Sequence, residues 1–256
     1  MKKIALEAVS LAAETLKKEY YKFSRTKINL KDKNQIVTKH DLDSEKIIIQ
    51  KIKQHFPEHR ILSEEKGDNK KNSDYLWIID PIDGTTNFSI HNPLWSISLS
   101  LVYKNEIILG IILAPILNEL YLAEKNKGAF LNGKKIKTPS YTGEKIINTF
   151  CHGSKIKDKK RALKYYNYQK INSLDCRQLG SATIELAYTA LGRVDSLMIP
   201  GAHPWDVAAG ALIVKEAGGK VTDFKGKNWT IDSPDILASN PKIHSKLLQI
   251  IKKLKI

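Results

Sequence analysis

The sequence predicts a mixed architecture, α+β in its first half and α/β in its second, and three observations carry that expectation. Apolar residues recur at helical spacing near both ends of the chain. Between them lie short apolar or alternating runs punctuated by turn residues. After about residue 140 such runs alternate regularly with helical segments. The change of rhythm divides the chain into residues 1–140 and 141–256. With 256 residues, 42% of them hydrophobic and 8% aromatic, the chain can bury a sizeable core.

Residues 3–23 read as an amphipathic helix, with Ile4, Ala8, Leu11, Ala12 and Leu16 at helical spacing. Residues 24–36 are polar and basic and read as a loop or hairpin. A second helix fits Asp43 to His55, with Ile48 and Ile52 inward. Tyr75-Leu76-Trp77-Ile78-Ile79 reads as a buried strand ending at Asp80, and residues 95–101 alternate cleanly, as a strand with one polar face does. Lys104-Asn105 turns that strand into the next, Ile107–Leu113. Leu120–Ala123 and Ala129–Leu131 follow, with turns at Asn126-Lys127-Gly128 and Asn132-Gly133. In the second half, strand-like segments at 148–151, 174–177, 194–198 and 236–238 each precede a helix, at 158–169, 181–191, 205–217 and 241–254. Gly192 stops the second of these helices and Gly218-Gly219 the third.

Composition excludes several classes. The longest apolar run, Ile107 to Leu117, is interrupted by Gly110 and Pro115 and falls short of the ~20 residues of a membrane span. The N-terminal stretch meets Glu7 too soon for a signal peptide, so the chain is expected to be cytoplasmic, with Cys151 and Cys176 reduced. No Cys-x-x-Cys pair suggests structural zinc. The net charge of +15 raises the prospect of a nucleic-acid partner. However, the excess is almost all Lys spread along the chain, with Arg only at 25, 60, 161, 177 and 193, and no aromatic-basic interleave stands out. The preferred account is a compositional bias, since the chain is also rich in Ile and Asn, and a basic field would still help draw in an anionic substrate.

The informative segment is Asp80-Pro81-Ile82-Asp83-Gly84-Thr85-Thr86-Asn87-Phe88. Two carboxylates three residues apart follow a buried strand. Pro81 breaks the ladder and Gly84 permits an unusual turn, so both acids can converge beyond the strand end, where α/β proteins place ligands. Hard oxygens at such a point suit Mg²⁺, and the start of a short helix offers N–H groups to a phosphate. A lone Asp-Gly would read as a turn and a helix start; the nine-residue string reads as a site. Phosphatases that form an aspartyl-phosphate carry Asp-x-Asp, whereas here the spacing is Asp-x-x-Asp, which favours attack by a metal-activated water. Glu64-Glu65 lies just ahead of the Asp80 strand. Asp206 opens a helix after Pro204, in Trp205-Asp206-Val207-Ala208-Ala209-Gly210, whose small residues permit close packing. Taken singly, Glu64-Glu65 is a solvated loop, Asp206 a helix-start charge, and Asp41 a helix N-terminal acid.

Together the Glu64-Glu65 pair, the Asp80–Phe88 string and the Trp205–Gly219 segment resemble the inositol monophosphatase family, within the lithium-sensitive, metal-dependent sugar phosphatases. The Gly128–Gly133 turn matches as well, and the likeness runs in order from about residue 5 to 240. The resemblance implies a layered αβαβα sandwich of the inositol monophosphatase and fructose-1,6-bisphosphatase type. It implies two to three Mg²⁺ ions, one held by Glu64, Asp80 and the carbonyl of Ile82, a second by Asp80, Asp83 and Asp206, and a weaker third near Glu64. Thr85, with Asp41 behind it, would orient and deprotonate the attacking water, and Glu64 would share in catalysis. Backbone N–H groups of Gly84 and Thr85 would grip the phosphate, with Asp83 and Asp206 beside it. Ser154, Ser181 and Ala182 match stretches that line the sugar pocket of relatives. Inositol-specific members carry an acid where this chain has Ile199, which argues against inositol specificity. The resemblance further implies a homodimer, lithium inhibition and a small phosphorylated substrate: a sugar or polyol phosphate, with fructose bisphosphate, histidinol phosphate, phosphoadenosine phosphate or NADP as alternatives. His152 and His203 read as polar pocket or packing residues, and Trp77 and Trp95 as core.

Overall fold

The computed structural model describes residues 1–24, 28–32, 35–142 and 145–256. Residues 25–27 and 33–34, within the stretch expected as a loop or hairpin, lie outside the described residues, as do 143–144. Helix α1 (Lys2–Tyr20) leads through the hairpin β1 (Asn29–Asp32) and β2 (Gln35–Val37) to α2 (Lys39–His55). Then come β3 (Arg60–Ser63), β4 (Gly67–Asp68), β5 (Tyr75–Asp83), the short α3 (Thr85–Ser89), β6 (Ser96–Tyr103), β7 (Glu106–Ala114), β8 (Glu119–Glu124), β9 (Gly128–Leu131) and β10 (Lys134–Ile136). The rest is β11 (Ile147–Phe150), α4 (Ile156–Asn172), β12 (Asp175–Arg177), α5 (Ala182–Leu191), β13 (Ser196–Pro200), α6 (Pro204–Glu216), β14 (Lys220–Thr222), β15 (Asp235–Ser239) and α7 (His244–Lys253). An eight-stranded sheet runs in the order β10-β9-β8-β7-β6-β5-β3-β4, and a five-stranded one in the order β12-β11-β13-β15-β14.

Side-chain alternation explains how these pieces stack. Odd residues of β5, Trp77 and Ile79, share a core with Ala5, Ala12 and Leu16 of α1 and Ile48 and Ile52 of α2. Even residues, Leu76 and Ile78, point the other way, into a core with Leu186 of α5 and Ala208, Ala209 and Ile213 of α6. Leu197 and Ile199 of β13 close that same core from the second sheet, while Met198 faces Tyr165 of α4 and Leu247 and Ile251 of α7. The layers are therefore helix, sheet, helix, sheet, helix, and β5 and β13 read as unbroken apolar runs because both of their faces are buried. Helix α6 is apolar all round for the same reason: Val207 to Val214 are buried without a break between the two sheets.

The polar face of β6 is its serine face, and it is dry. Ser96, Ser98 and Ser100 are all buried, because α5 and α6 lie over that face; Ser96 Oγ meets Thr183 Oγ1 at 2.5 Å. The small residues of α6 allow this closeness. A Cβ at Gly110 of β7 would come 2.7 Å from the Ala209 carbonyl oxygen, so glycine is what lets the helix backbone rest on the sheet. Boundaries differ where capping was not read. Helix α2 begins at Lys39, four residues earlier than expected, because Thr38 is an N-cap in a capping box with Asp41. The Lys104-Asn105 and Asn132-Gly133 turns form as expected, with positive φ at both residues of each pair. The two short sheet-edge strands β4 and β10, with β3 and β14, were too brief to be read from period. Among the described residues no helix is long and apolar enough to cross a membrane.

Candidate active site

Strand β5 does not end at Asp80 but continues to Asp83 through a bulge. Asp80 pairs with Ser98 and Asp83 with Ser96, so Pro81 and Ile82 stand opposite Ile97 alone. A proline, lacking an N–H, fits at such an irregularity and nowhere in a regular central ladder. The bulge re-aims the strand end: Asp80 Oδ1 accepts the Ile82 N–H at 3.1 Å, and the Pro81 carbonyl accepts the Ser44 hydroxyl at 3.0 Å. Gly84 follows with φ 89°, and a Cβ there would also press on the Leu94 carbonyl at 3.0 Å and the Gly180 carbonyl at 3.2 Å. That turn starts α3, whose first N–H groups have no carbonyl a turn behind them in the helix.

Carboxylates distant in sequence come together around Asp80. Burial pushes its carboxyl well above the ordinary range, and the negative charges of Glu64, Asp83, Asp206 and Asp41 push it further. Glu64, Asp83 and Asp206 line one cavity of about 540 Å³, together with Gly84, Thr85 and Thr86. Glu64 is carried there by the end of β3, its N–H donating to the Ile79 carbonyl of β5 at 3.2 Å. Asp206 sits at the start of α6, its carboxylate accepting the His203 N–H at 3.2 Å. The convergence is electrostatic rather than a closed shell: among the described residues no three His, Cys, Asp or Glu side chains enclose an ion-sized point in this conformation. Like charges held together by the fold repel at that range. Asp83 is in addition drawn to the N-terminus of α5. Its Oδ2 accepts from the Ser181 hydroxyl, the Thr183 N–H at 2.9 Å and the Thr183 hydroxyl at 2.5 Å, while Oδ1 accepts a 3.3 Å bond from the Ala182 N–H. Burial raises the Asp83 carboxyl and these donors oppose the rise.

Asp41 and Thr85 meet as the resemblance implied. The Thr85 hydroxyl lies 3.1 Å from Asp41 Oδ1 and 3.0 Å from the Ile82 carbonyl oxygen, and donates its proton toward one or the other. Asp41 Oδ2 accepts both the N–H and the hydroxyl of Thr38 at 2.7 Å each. Burial pushes the Asp41 carboxyl up to about 6, against the pull of Thr38. A carboxylate so poised near neutrality is suited to proton transfer.

The cavity's other wall comes from the smaller sheet. Cys151, His152, Gly153 and Ser154 follow β11, Lys159 belongs to α4, Gln178, Gly180 and Ala182 surround the start of α5, and Ile199, His203, Trp205 and Asp206 surround the start of α6. His203 stacks flat on Trp205, centroids 4.7 Å apart. Ser154 and Ala182 thus line the cavity. Ser181 is buried behind them as the N-cap of α5, its hydroxyl directed to Asp83. Three supporting residues escaped the sequence reading. Thr38 orients Asp41, Thr183 binds Asp83, and Glu185, fully buried on α5, accepts the N–H groups of Leu179 at 2.7 Å and Gly180 at 3.2 Å and the Cys151 thiol at 3.4 Å. Burial lifts the Glu185 carboxyl to about 8. A Thr-x-x-Asp capping box and a single acid inside an apolar helix were the available signals for Thr38 and Glu185. The loop that Glu185 holds also accepts from Asn87, whose side chain donates to the Leu179 carbonyl at 2.9 Å and the Leu94 carbonyl at 2.6 Å, tying α3 to α5.

Comparison with known proteins places this geometry among relatives. The inositol monophosphatase family matches residues 1–255. A protein of Neisseria meningitidis named a putative Nus factor SuhB is 36% identical over 253 residues, covering 96% of either chain. A Thermotoga maritima protein named fructose-1,6-bisphosphatase/inositol-1-monophosphatase is 40% identical over 219 residues, covering 86% of this chain and 83% of its own. The solved structure of a Thermotoga maritima inositol monophosphatase superposes with a TM-score of 0.88 at 34% identity, covering 99% of this chain and 98% of the other.

Proposed function

Since the chain belongs to the inositol monophosphatase family, we propose that it hydrolyses a small sugar or polyol phosphate monoester with Mg²⁺. The observation that carries the proposal is the buried Asp80 carboxyl on which the charges of Glu64, Asp83, Asp206 and Asp41 bear, three of those acids, Glu64, Asp83 and Asp206, lining one cavity. Such a cluster is costly without compensating positive charge, and its donors are hard oxygens of the kind Mg²⁺ takes. Glu64, Asp80, Asp83, Asp206 and the Ile82 carbonyl would hold two ions, with a weaker third near Glu64. When bound, the ions would neutralise phosphate charge and make water more acidic.

The chain's own groups then have distinct tasks. The N–H groups of Gly84 and Thr85 bind phosphoryl oxygens at the start of α3. Thr38 fixes Asp41 Oδ2, which leaves Oδ1 facing the Thr85 hydroxyl. Thr85 Oγ1 orients the attacking water and takes its proton while passing its own to Asp41 Oδ1. Thr85→Val should lower kcat by ~10²-fold with little change in KM, since it removes the relay and keeps the shape; steady-state kinetics on the preferred substrate check this. The proposal as a whole is tested by phosphate release from a panel of sugar, polyol and nucleotide phosphates, with and without Mg²⁺ and with added Li⁺. Release from none of them overturns it. Li⁺ inhibition and a homodimer belong to the same proposal, since both follow from family habit.

The Nus factor names of relatives and the net charge of +15 favour one second role, association with an anionic partner such as RNA. Binding that weakens as salt rises supports it, and no binding at low salt removes it.

A further inference from the structure

One face of α2 touches the site in three places. Ser44 and Glu45 follow Asp41 by three and four residues, so the three side chains share a face of the helix, and all three are buried. Asp41 meets the Thr85 hydroxyl, and Ser44 donates to the Pro81 carbonyl inside the bulge of β5. Glu45 reaches a third segment. Its Oε1 accepts the N–H groups of Glu65 at 3.1 Å and Lys66 at 3.0 Å. Those two residues directly follow Glu64 in the turn from β3 to β4. Ile48 and Ile52 seat the same helix on the larger sheet, in one core with Trp77 and Ile79, so the face is stiffly mounted.

Glu64 is therefore held from both sides. Before it, β3 pairs in parallel with β5, and the Glu64 N–H itself donates to the Ile79 carbonyl at 3.2 Å. After it, the chain turns through Gly67 at φ 70° into β4, which is two residues long and pairs with β3 only at Leu62 with Asp68 and Ser63 with Gly67. So brief a ladder fixes a turn weakly, and Glu45 adds two charge-assisted bonds to its backbone. Glu45 is absent from the cavity lining and bonds neither Thr85 nor Asp41. It acts on the site through the turn.

We infer that Glu45 is a positioning residue for cation binding: it fixes the turn that presents Glu64, and so sets how tightly Glu64 holds its ion. This role rests on the proposed Mg²⁺ chemistry. A side chain whose backbone is already ordered loses less freedom when it binds. Removing a group that orients a metal-binding residue weakens the metal by roughly 10–100-fold. The loss falls on metal affinity and vanishes from kcat once the metal saturates, because Glu45 touches neither the phosphate site nor the Thr85–Asp41 pair.

The test is calorimetric Mg²⁺ binding to wild type, Glu45→Gln and Glu45→Asp, with amide hydrogen exchange read by NMR in EDTA. Glutamine keeps the reach and an acceptor oxygen, and its nitrogen would stand where Oε2 has no partner, so it breaks no bond. Aspartate keeps the charge and is one methylene too short. Mg²⁺ should bind Glu45→Gln within about threefold of wild type and Glu45→Asp about tenfold more weakly. The Glu65 and Lys66 amides should exchange faster in Glu45→Asp alone, while those of α2 and β5 keep wild-type protection, which separates a loosened turn from a loosened fold. At saturating Mg²⁺ the kcat of Glu45→Asp should return to near the wild-type value, and a kcat that stays low overturns the inference. Wild-type affinity in Glu45→Asp overturns it too, as does a loss in Glu45→Gln as large as that in Glu45→Asp, since charge rather than position would then be at work. A wild type that binds no Mg²⁺ overturns the proposed function together with this role, whereas wild-type binding left intact in Glu45→Asp overturns this role alone.

Discussion

Asp80→Asn should abolish Mg²⁺-dependent phosphate release, on the order of 10³-fold or more in kcat, while raising the melting temperature of the metal-free protein at pH 8. The two effects have opposite signs because Asp80 serves the cations and not the fold. Its carboxyl is buried, and four neighbouring carboxylates oppose its charge. Asparagine keeps the oxygen that accepts the Ile82 N–H and removes the charge. Relief of ~1–2 kcal/mol corresponds to a few degrees in a protein of this size. Mg²⁺ should stabilise the wild type, since it binds the folded form, and should do so far less in the variant. Asp83→Asn makes the contrast. It should lose activity as well but lower the melting temperature, because Asp83 Oδ2 accepts three donors from the start of α5 and an amide nitrogen there would face donors instead. Thermal melts in EDTA and in Mg²⁺, with kinetics alongside, read all of these. A lower metal-free melting temperature for Asp80→Asn would show that Asp80 is a structural residue.

In EDTA the wild type should lose stability as pH rises from 6.5 to 8, and Glu185→Gln should lose ~2 kcal/mol less over the same range. The folded carboxyl of Glu185 titrates near 8, above the value of about 4.5 for an unfolded glutamate, so between these values the folded state holds the extra proton. Stability from this group is complete below the unfolded value and is lost as pH rises through the folded one. Asp41, raised to about 6, acts in the same direction at lower pH. His244, buried between Thr222 and Ser239 and pushed down to about 4, acts oppositely between that value and 6.5, so the window above 6.5 excludes it; the raised Asp80 carboxyl acts in the same direction as Glu185, and the difference between wild type and Glu185→Gln reads Glu185 alone. Denaturant unfolding at two pH values measures the slope. A wild-type stability that is flat or rising across the window would mean that Glu185 carries its charge at neutral pH.

The parts of the site that could be read in the sequence were the local ones. Asp80 to Phe88 announced a strand end, a turn and a helix start within nine residues, and the fold places all three there. Asp206 was legible as a helix-start acid after Pro204. Ser154 and Ala182 were placed at the pocket only through the family resemblance, and the partners that bind the acids were not legible, because they meet across the chain. Ser181 and Thr183 bind a carboxylate some hundred residues earlier, and nothing in their own spacing marks them for it. Lys159 sits among Lys155, Lys157 and Lys160, and only the turn of α4 sets it apart as the one that faces the cavity. The serines of β6 show a related limit: alternation reports that a face is polar, as it is, and a second helical layer decides that it is also dry.

Anomalous diffraction from crystals soaked in millimolar Mn²⁺, a stand-in for Mg²⁺ with the same taste for oxygen, tests the central claim most directly. At least two peaks should appear against Asp80, one shared with Glu64 and the Ile82 carbonyl and one shared with Asp83 and Asp206. A well-ordered map with no peak among these residues would mean that the acids gather for some purpose other than binding cations.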